Sequence, residues 1–598
     1  MGRPLRSSPP SASSLDRVVV IFSSIVLSLF SLGLFTSIWN LPTPNPTSRL
    51  GLLFSFRKSI NLSRSGIDDI DDIQNAEDDL DDELSMLHEE GLTISDLGNN
   101  FGNSNPKLQA SQLLRKRSDF SNTPADANIP QAKWPVSIRD EDGEFEDVVH
   151  PGHRAKNHPD VIMSVPKMWI DDPVSIHQNK LMTRDLAMKI GSCTVPDASG
   201  NFARGDNCPV NERTIYVAIA SYRDYQCRDT VTSIFERASY PDRVRVGVID
   251  QIDDVEDIHC DAPYEPCSEN PEQMLCKYKN QIDILQLDPL LSVGPVFARH
   301  LGHRLYRGEY YYMQSDAHVT YANNWDVDII SQQEATKNEM AILSTYLSNF
   351  DGALDENGDS VMKKRPIMCD TIFEEGQHNK YLRHDTQPES EPSITGTPQL
   401  HPFWSAGFSF SRGHFVVNVP YDFYQPLIFQ GEEMSIGVRG FTIGYDFYAP
   451  EKSVCFHHYA VGKNKENIAK RKKVPKFFDH NRIYAGAGIQ SMSRLLGIVH
   501  MDPGVDPSRW DHTDEEKYGI GGVEFRTPEH FYEIFGIDVK NKSTQRHLCS
   551  FVNTGNMHKM FTPYLRADGM GIDYGKIDYT FTDPRPNEDD ETDDDGEE

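Results

Sequence analysis

The stretch from Thr214 to Asp250 constrains the fold more than any other. Ile215-Tyr216-Val217-Ala218-Ile219-Ala220 is a short run of apolar and β-favouring residues, which reads as a buried strand. A polar loop, Ser221-Tyr222-Arg223-Asp224, follows it. Val231, Ile234 and Phe235 then fall at helical spacing within Arg228 to Ala238, and Tyr240-Pro241 ends that helix. Val244 to Ile249 reads as a second strand, stopping at Asp250. A strand–helix–strand unit of this kind predicts a parallel sheet in an α/β fold. Ligands of such sheets bind at the carboxyl ends of the strands, here Ser221 to Asp224 and Asp250 to Asp254. The pattern continues with a helix over Pro295 to Tyr306, a strand over Tyr310 to Gln314 and a further strand within Met340 to Leu347. Gly431-Glu432-Glu433 reads as a turn entering a helix, Lys463 to Lys473 as a basic stretch, and Pro528 to Phe535 as a late helix.

The chain has 598 residues, length enough for two globular units, and a formal net charge of −31. Residues 67–90 hold twelve Asp or Glu and no Lys or Arg, and residues 587–598 hold nine more. Those two runs supply 21 of the 31 negative charges, leaving about −10 for the rest. The acidity therefore belongs to solvated extensions, and it argues against a nucleic-acid partner. At the other end, Val18 to Trp39 is 22 residues without charge or proline. As a helix it would span about 33 Å, enough to cross a bilayer. Arg3, Arg6 and Arg17 precede it and favour a cytoplasmic N-terminus, while the run exceeds the usual length of a cleaved signal. These features predict a single-pass type II anchor with the remainder in the ER or Golgi lumen. The sequons at Asn61 and Asn541 agree with that side, as do nine cysteines that all lie between Cys193 and Cys549. The cysteines are dense from Cys193 to Cys276, which suggests disulfides there, and an odd count leaves at least one thiol free. No CxxC pair is present, so a zinc ribbon is not expected. The predicted organisation is a tail over 1–17, an anchor over 18–39 and an acidic, mostly disordered stem over 40–165, with one short helix over 80–97. A catalytic domain over 166–476, an extension of it over 477–583 and an acidic tail over 584–598 complete the chain.

The chemistry concentrates at one strand end. Asp316 and His318 follow the Tyr310 to Gln314 strand, and residues i and i+2 of a strand share a face. Carboxylate oxygen with imidazole nitrogen suits Mn²⁺ as well as Zn²⁺, and Cys455-Phe456-His457-His458 offers a third ligand. An ordinary polar strand end is the alternative. A divalent cation there would offset charge building on a diphosphate leaving group. Arg299 is a further candidate for that role, with the basic stretch in reserve. Glu432 and Glu433 can orient an acceptor hydroxyl or stabilise a cationic sugar centre, or else serve only as acidic residues at a helix start. Trp404 and Phe408 can wall a sugar face or pack in the core. No GxxxxGK[ST], GxSxG or HExxH sequence occurs, which removes the P-loop, serine-elbow and zincin classes.

Taken in order, Thr214 to Asp224, Cys227 to Thr230, Gly294 to Arg299, Asp316-Ala317-His318, Trp404 to Arg412, Gly431 to Glu433 and Phe456 to His458 resemble the polypeptide α-N-acetylglucosaminyltransferases. That family includes cytoplasmic enzymes that modify hydroxyproline and Golgi relatives that act on threonine. The resemblance covers roughly residues 210–540. It implies a GT-A-like nucleotide-sugar-binding fold with a mostly parallel central sheet, a UDP-N-acetylglucosamine donor, a divalent metal (Mn²⁺ first), retention of configuration and a protein or peptide acceptor. By position it implies Asp316, His318 and His457 as metal ligands, with His457 ahead of His458. Ser221, Tyr222, Arg223 and Asp250 would line the uridine site, Arg299 would face the diphosphate, and Glu432 or Glu433 would lie by the sugar and acceptor. The anchor departs from the cytoplasmic members and favours a secretory acceptor. The competing readings are the same fold with UDP-N-acetylgalactosamine, and a catalytically silent lumenal binding protein.

Overall fold

Eight strands form the central sheet. In chain order they are β1 (Ile215–Tyr222), β2 (Val244–Gln251), β3 (Ile282–Leu287), β4 (Tyr311–Asp316), β5 (Ala341–Ser344), β6 (Gln399–His401), β7 (Phe408–Arg412) and β8 (Asp446–Ala449). The computed structural model describes residues 144–578, apart from 156–160, 377–379, 391–392, 461–464, 478–482, 485 and 545–546, together with Ile129. The 22-residue apolar run, both acidic runs, the helix expected over 80–97 and the Asn61 sequon lie outside the described residues. Among the described residues, no helix is long and apolar enough to cross a membrane.

The spatial order of the strands is β6-β8-β5-β7-β4-β1-β2-β3. β1 pairs in parallel with both β2 and β4, and β2 with β3, as the strand–helix–strand reading predicts. β7 runs antiparallel to both its neighbours, and β6 is an antiparallel edge strand. After β3 the chain returns to the other side of β1 to form β4, so the strand order reverses there. Reversals of this kind open a crevice at the carboxyl ends of the strands. Every residue of β2 is buried, as expected for a parallel strand covered on both faces. Helix α1 (Cys227–Glu236) links β1 to β2, and α2 (Pro295–Arg304) packs on both of those strands. The Tyr216 hydroxyl crosses β2 to donate to the Gly302 carbonyl at 2.6 Å. A Cβ at Gly247 would collide with that hydroxyl, so this crossing requires glycine. Helices α3 (Trp325–Ala335), α4 (Glu432–Ile443), α5 (Ala487–Ile498) and α6 (Pro528–Ile534) complete the longer elements used below.

Strand ends differ from the sequence reading by a residue or two, and always toward the site. β1 runs on through Ser221 and Tyr222, β2 includes Asp250, and β4 ends on Asp316. Ordered structure also begins earlier than Pro166. Phe145–Val149 pairs antiparallel with Ile162–Pro166, the buried His150 makes a 2.9 Å contact from Nε2 to the Leu291 carbonyl, and Arg304 reaches Glu146 at 2.5 Å. This strand is short and acidic, and its partners lie far along the chain, so local composition hides it. The residues after Phe477, read as an extension of the catalytic domain, pack into the sheet's own core. Leu495, Phe531, Met557 and Tyr574 belong to the same core as the sheet. Four disulfides are present, Cys193–Cys208, Cys227–Cys260, Cys267–Cys276 and Cys369–Cys549, and Cys455 is a buried free thiol.

Candidate metal and donor site

Asp316 closes β4 at the carboxyl edge. Three residues on, Val319–Tyr321 forms a short ribbon with Cys455–His457, in which His457 stands opposite Val319. That register carries His457 to the same place as Asp316 and His318. Each of the three offers one ligand atom, and the three atoms lie within 4.8 Å of one another. His457 Nε2 is 3.5 Å from Asp316 Oδ2, and the two imidazoles meet edge to face at 4.3 Å between centroids. His457 Nδ1 is buried without a hydrogen-bond partner. His458 points elsewhere: its Nε2 lies 2.7 Å from Thr320 Oγ1 and its ring packs on Phe350. Register thus separates the two adjacent histidines, which sequence left as a pair.

Carboxylates orient this cluster from behind. Asp224 Oδ2 lies 2.5 Å from His318 Nδ1, so Nε2 is the ring nitrogen left to face the other two residues. Burial would raise the Asp224 carboxyl, but the His318 charge and hydrogen bond outweigh it and hold the group at about 2. Burial opposes ionisation of Asp316 in the same way, and His457 and Arg299 overcome it and keep that carboxyl below its usual range. Arg299, expected to face a diphosphate, instead bridges two acids of the site. Its Nη2 donates to Asp316 Oδ1 at 3.0 Å and its Nη1 to Glu432 Oε1 at 2.5 Å. Burial works against that charge, yet the two carboxylates raise the guanidinium further above its ordinary value. Bonding Asp316 through Oδ1 leaves Oδ2 toward His457. A Cβ at Gly407 would lie 3.1 Å from that same Oδ2, a tight contact, so the backbone just before β7 closely approaches the site.

The two glutamates part company. Gly431 enters α4 at φ +87, and Glu432 and Glu433 occupy its first turn. Glu432 is 3% exposed and also accepts the Tyr421 hydroxyl, so it is a buried partner of Arg299. Glu433 is 21% exposed. It accepts the Ala406 N–H at 2.8 Å and the Tyr346 hydroxyl at 3.0 Å, and burial pushes its carboxyl up to about 7. Ala406 and Gly407 adjoin, so Glu433 and Asp316 face each other across one turn of backbone.

The donor candidates line up less evenly. Ser221 and Asp250 are register partners on β1 and β2, and both are buried. Asp250 accepts the Cys260 N–H at 3.0 Å, and burial raises its carboxyl to about 6. The Tyr222 ring meets Phe477 edge to face. Arg223, at φ +49, is bound by Asp257 and Glu256, so its guanidinium is committed to the neighbouring acidic loop. Trp404 is 1% exposed and Phe408 likewise, so these rings are core behind the glutamates and present no open face. The basic stretch supplies Arg471, which donates to the His458 carbonyl at 3.1 Å and to Gln226 at 3.3 Å. Sequence reasoning passed over Asp224, Tyr346 and Tyr421 as members of the site. The first stood in plain view at the end of β1, whereas the two tyrosines carry no local signal.

The family model described as Glycosyltransferase (GlcNAc) matches residues 214–269 and 254–541, together more than half of the chain. No curated protein matches. Among solved structures, the chain is similar to the crystal structure of GalNAc-T7 with UDP, GalNAc and Mn²⁺, at 15% identity and a TM-score of 0.31, over 50% of this chain and 51% of that one. It is similar to S. aureus TarS 1–349 at 12% identity and a TM-score of 0.24, over 49% and 76% of the two chains. It is also similar to the mannosyltransferase PcManGT from Pyrobaculum calidifontis in complex with GDP-Man and Mn²⁺, at 10% identity and a TM-score of 0.24, over 50% and 77%. The chain spans about half the length of the GalNAc-T7 chain it matches. Likeness of this size adds nothing to the family match.

Proposed function

Because the chain belongs to the Glycosyltransferase (GlcNAc) family, we propose that it is a metal-dependent, retaining transferase moving N-acetylglucosamine from UDP-N-acetylglucosamine to a Thr, Ser or hydroxyproline hydroxyl of a protein. The observation that carries this reading is the convergence of Asp316, His318 and His457 at the point where the strand order reverses. One carboxylate oxygen and two imidazole nitrogens suit Mn²⁺. A bound divalent cation would offset the charge that builds on the departing diphosphate.

The chain's own residues prepare that site. Asp224 fixes the His318 ring, and Arg299 fixes Asp316 while balancing the acid charge of Glu432. Ser221, Tyr222 and Asp250 line the uridine end of the crevice. Glu433, partly exposed and held by Tyr346 and Ala406, serves as the carboxylate beside the sugar and the acceptor hydroxyl. In this reading Val18 to Trp39 anchors the chain in the Golgi or ER membrane, an acidic stem follows it, and the catalytic unit is lumenal. Four disulfides suit that oxidising compartment.

The test uses the full chain in detergent with UDP-N-acetylglucosamine or UDP-N-acetylgalactosamine, with and without Mn²⁺, and follows UDP release and transfer to Thr and hydroxyproline peptides. The expected result is metal-dependent turnover of the N-acetylglucosamine donor, reduced roughly 10²–10³-fold in Asp316→Ala. Turnover of the galactosamine donor alone would replace the donor. Failure to bind or turn over any sugar nucleotide would sink the transferase reading in favour of a silent binding protein.

A further inference from the structure

Five arginines rank among the largest fully buried side chains: Arg245, Arg365, Arg439, Arg494 and Arg526. Four of them have partners. Arg245 pairs with Asp283 and Glu309, Arg494 with Asp422, and Arg526 with Asp446. Arg439 donates to the carbonyls of Pro420 and Gly519. Arg365 stands apart. It is 0% exposed, and its Nε, Nη1 and Nη2 are all buried without a hydrogen-bond partner. The acid whose charge it feels is Glu451, which is itself engaged through Oε1 with the Gly396 N–H at 2.7 Å. Burial pushes the guanidinium down to about 10, still far too high for it to lose its proton near neutrality. An ionised group taken out of water needs a partner for its charge.

The facing backbone segment carries a second unused donor. Pro366 and Glu389 form an antiparallel bridge, flanked by Ser390 N–H to Arg365 carbonyl at 2.9 Å and Ile367 N–H to Pro388 carbonyl at 2.9 Å. One step along that register sets Arg365 opposite Ser390, with both side chains on one face. Ser390 is also 0% exposed, and its Oγ also lacks a partner. A guanidinium fork has donors only, and a serine hydroxyl beside it can supply one more. Water could accept these hydrogen bonds but would leave the positive charge standing. A small anion satisfies both demands at once.

We propose that Arg365 and Ser390 form a closed site for one small inorganic anion, separate from the nucleotide-sugar site. The segment it completes hangs from the sheet through the Thr345 hydroxyl, which donates to the Pro366 carbonyl at 2.6 Å. The next residue, Tyr346, is the one that holds Glu433. An anion there would brace the segment that Thr345 ties to the sheet, one residue from Tyr346.

The proposal is tested on the full chain by thermal unfolding at constant ionic strength. Sodium gluconate is the background salt, replaced stepwise by chloride, sulfate or phosphate. At least one of the three should raise the midpoint saturably, by about 2 °C or more. Arg365→Met should abolish the dependence and be as stable in gluconate as the wild type is at saturation. Ser390→Ala should move half-saturation several-fold higher. Chloride and oxyanion arms tell a halide from a phosphate-like occupant. A wild-type midpoint equal in all four salts would mean that the chain compensates the charge itself, and would overturn the proposal. So would an anion response retained in Arg365→Met, which would place binding elsewhere. If that variant does not fold, an unshifted half-saturation in Ser390→Ala decides against the site.

Discussion

Asp224 and Glu433 show how single carboxylates here take opposite duties. Asp224 is held at about 2 because His318 outweighs the burial that opposes its charge. A depressed carboxyl adds stability above its ordinary value of 3.8, and loses that contribution as pH falls toward 2. Its functional duty is to aim His318. Asp224→Ala should therefore weaken Mn²⁺ binding by about 10–100-fold, measured by calorimetry or by the Mn²⁺ resonance signal. Unchanged affinity would show that packing alone holds the ring. Glu433 is displaced the other way, to about 7 by burial. The protonated form is the one the fold favours, so its stabilising contribution is full below the ordinary 4.5 and lost as pH rises through 7. Catalysis by the ionised form should do the reverse: kcat/KM should climb with pH through about 7, and Glu433→Gln should lower the rate and erase that limb. A limb that survives in the variant would assign it to another group. Asp316 was legible as the polar end of an apolar run, whereas His318 lies past the end of β4, so strand period alone does not bring it to Asp316. Arg299 was legible as a site residue, while its bridge between Asp316 and Glu432 was not, since those acids reach it from different elements. Trp404 misled because aromatic character says nothing about which side of a wall a ring occupies.

Elements with a strong local pattern emerge from the sequence almost intact. β1, α1, β2 and α2 differ from their expected bounds by no more than two residues, because continuous apolar runs and helical spacing are local signals. The short ribbons do not emerge at all. Phe145–Val149, Thr371–Glu375 and Val319–Tyr321 each depend on a partner strand for their hydrogen bonds, and their sequences carry no alternation long enough to read. The ribbon of Thr371–Glu375 is further tied to the C-terminal region. Cys369 joins Cys549 across a separation of 180 residues, and the Thr544 hydroxyl donates to the Thr371 carbonyl at 2.8 Å. Closing so long a loop restricts the unfolded chain strongly. Replacing both cysteines by serine should cost up to about 5 kcal/mol, read from the denaturant midpoint. A cost under about 1 kcal/mol would show that packing around Thr544 already restrains the unfolded chain.

For the whole molecule, the region after Phe477 is structural to the sheet. Arg526 donates to Asp446 on β8 and to the carbonyls of Phe441, Tyr445 and Ile572, and Arg494 of α5 pairs with buried Asp422. Phe531 of α6 packs on Phe403 and Phe441. A chain ending at residue 476 would leave Asp422 and Asp446 without their arginine partners. It should be recovered only as aggregate, and a soluble, cooperatively unfolding product would refute this. The ribbon that unites His318 with His457 has a consequence for timing. Its two strands, Val319–Tyr321 and Cys455–His457, stand far apart in the sequence and meet only after β5 to β8 have been laid down between them. Non-local pairings of this kind are late events, because loop closure must precede them. The emerging chain therefore carries a carboxylate and one imidazole long before it has a ligand set. On the proposed metal reading, high-affinity capture of a cation would signal completed topology and give refolding experiments a clock for the last step.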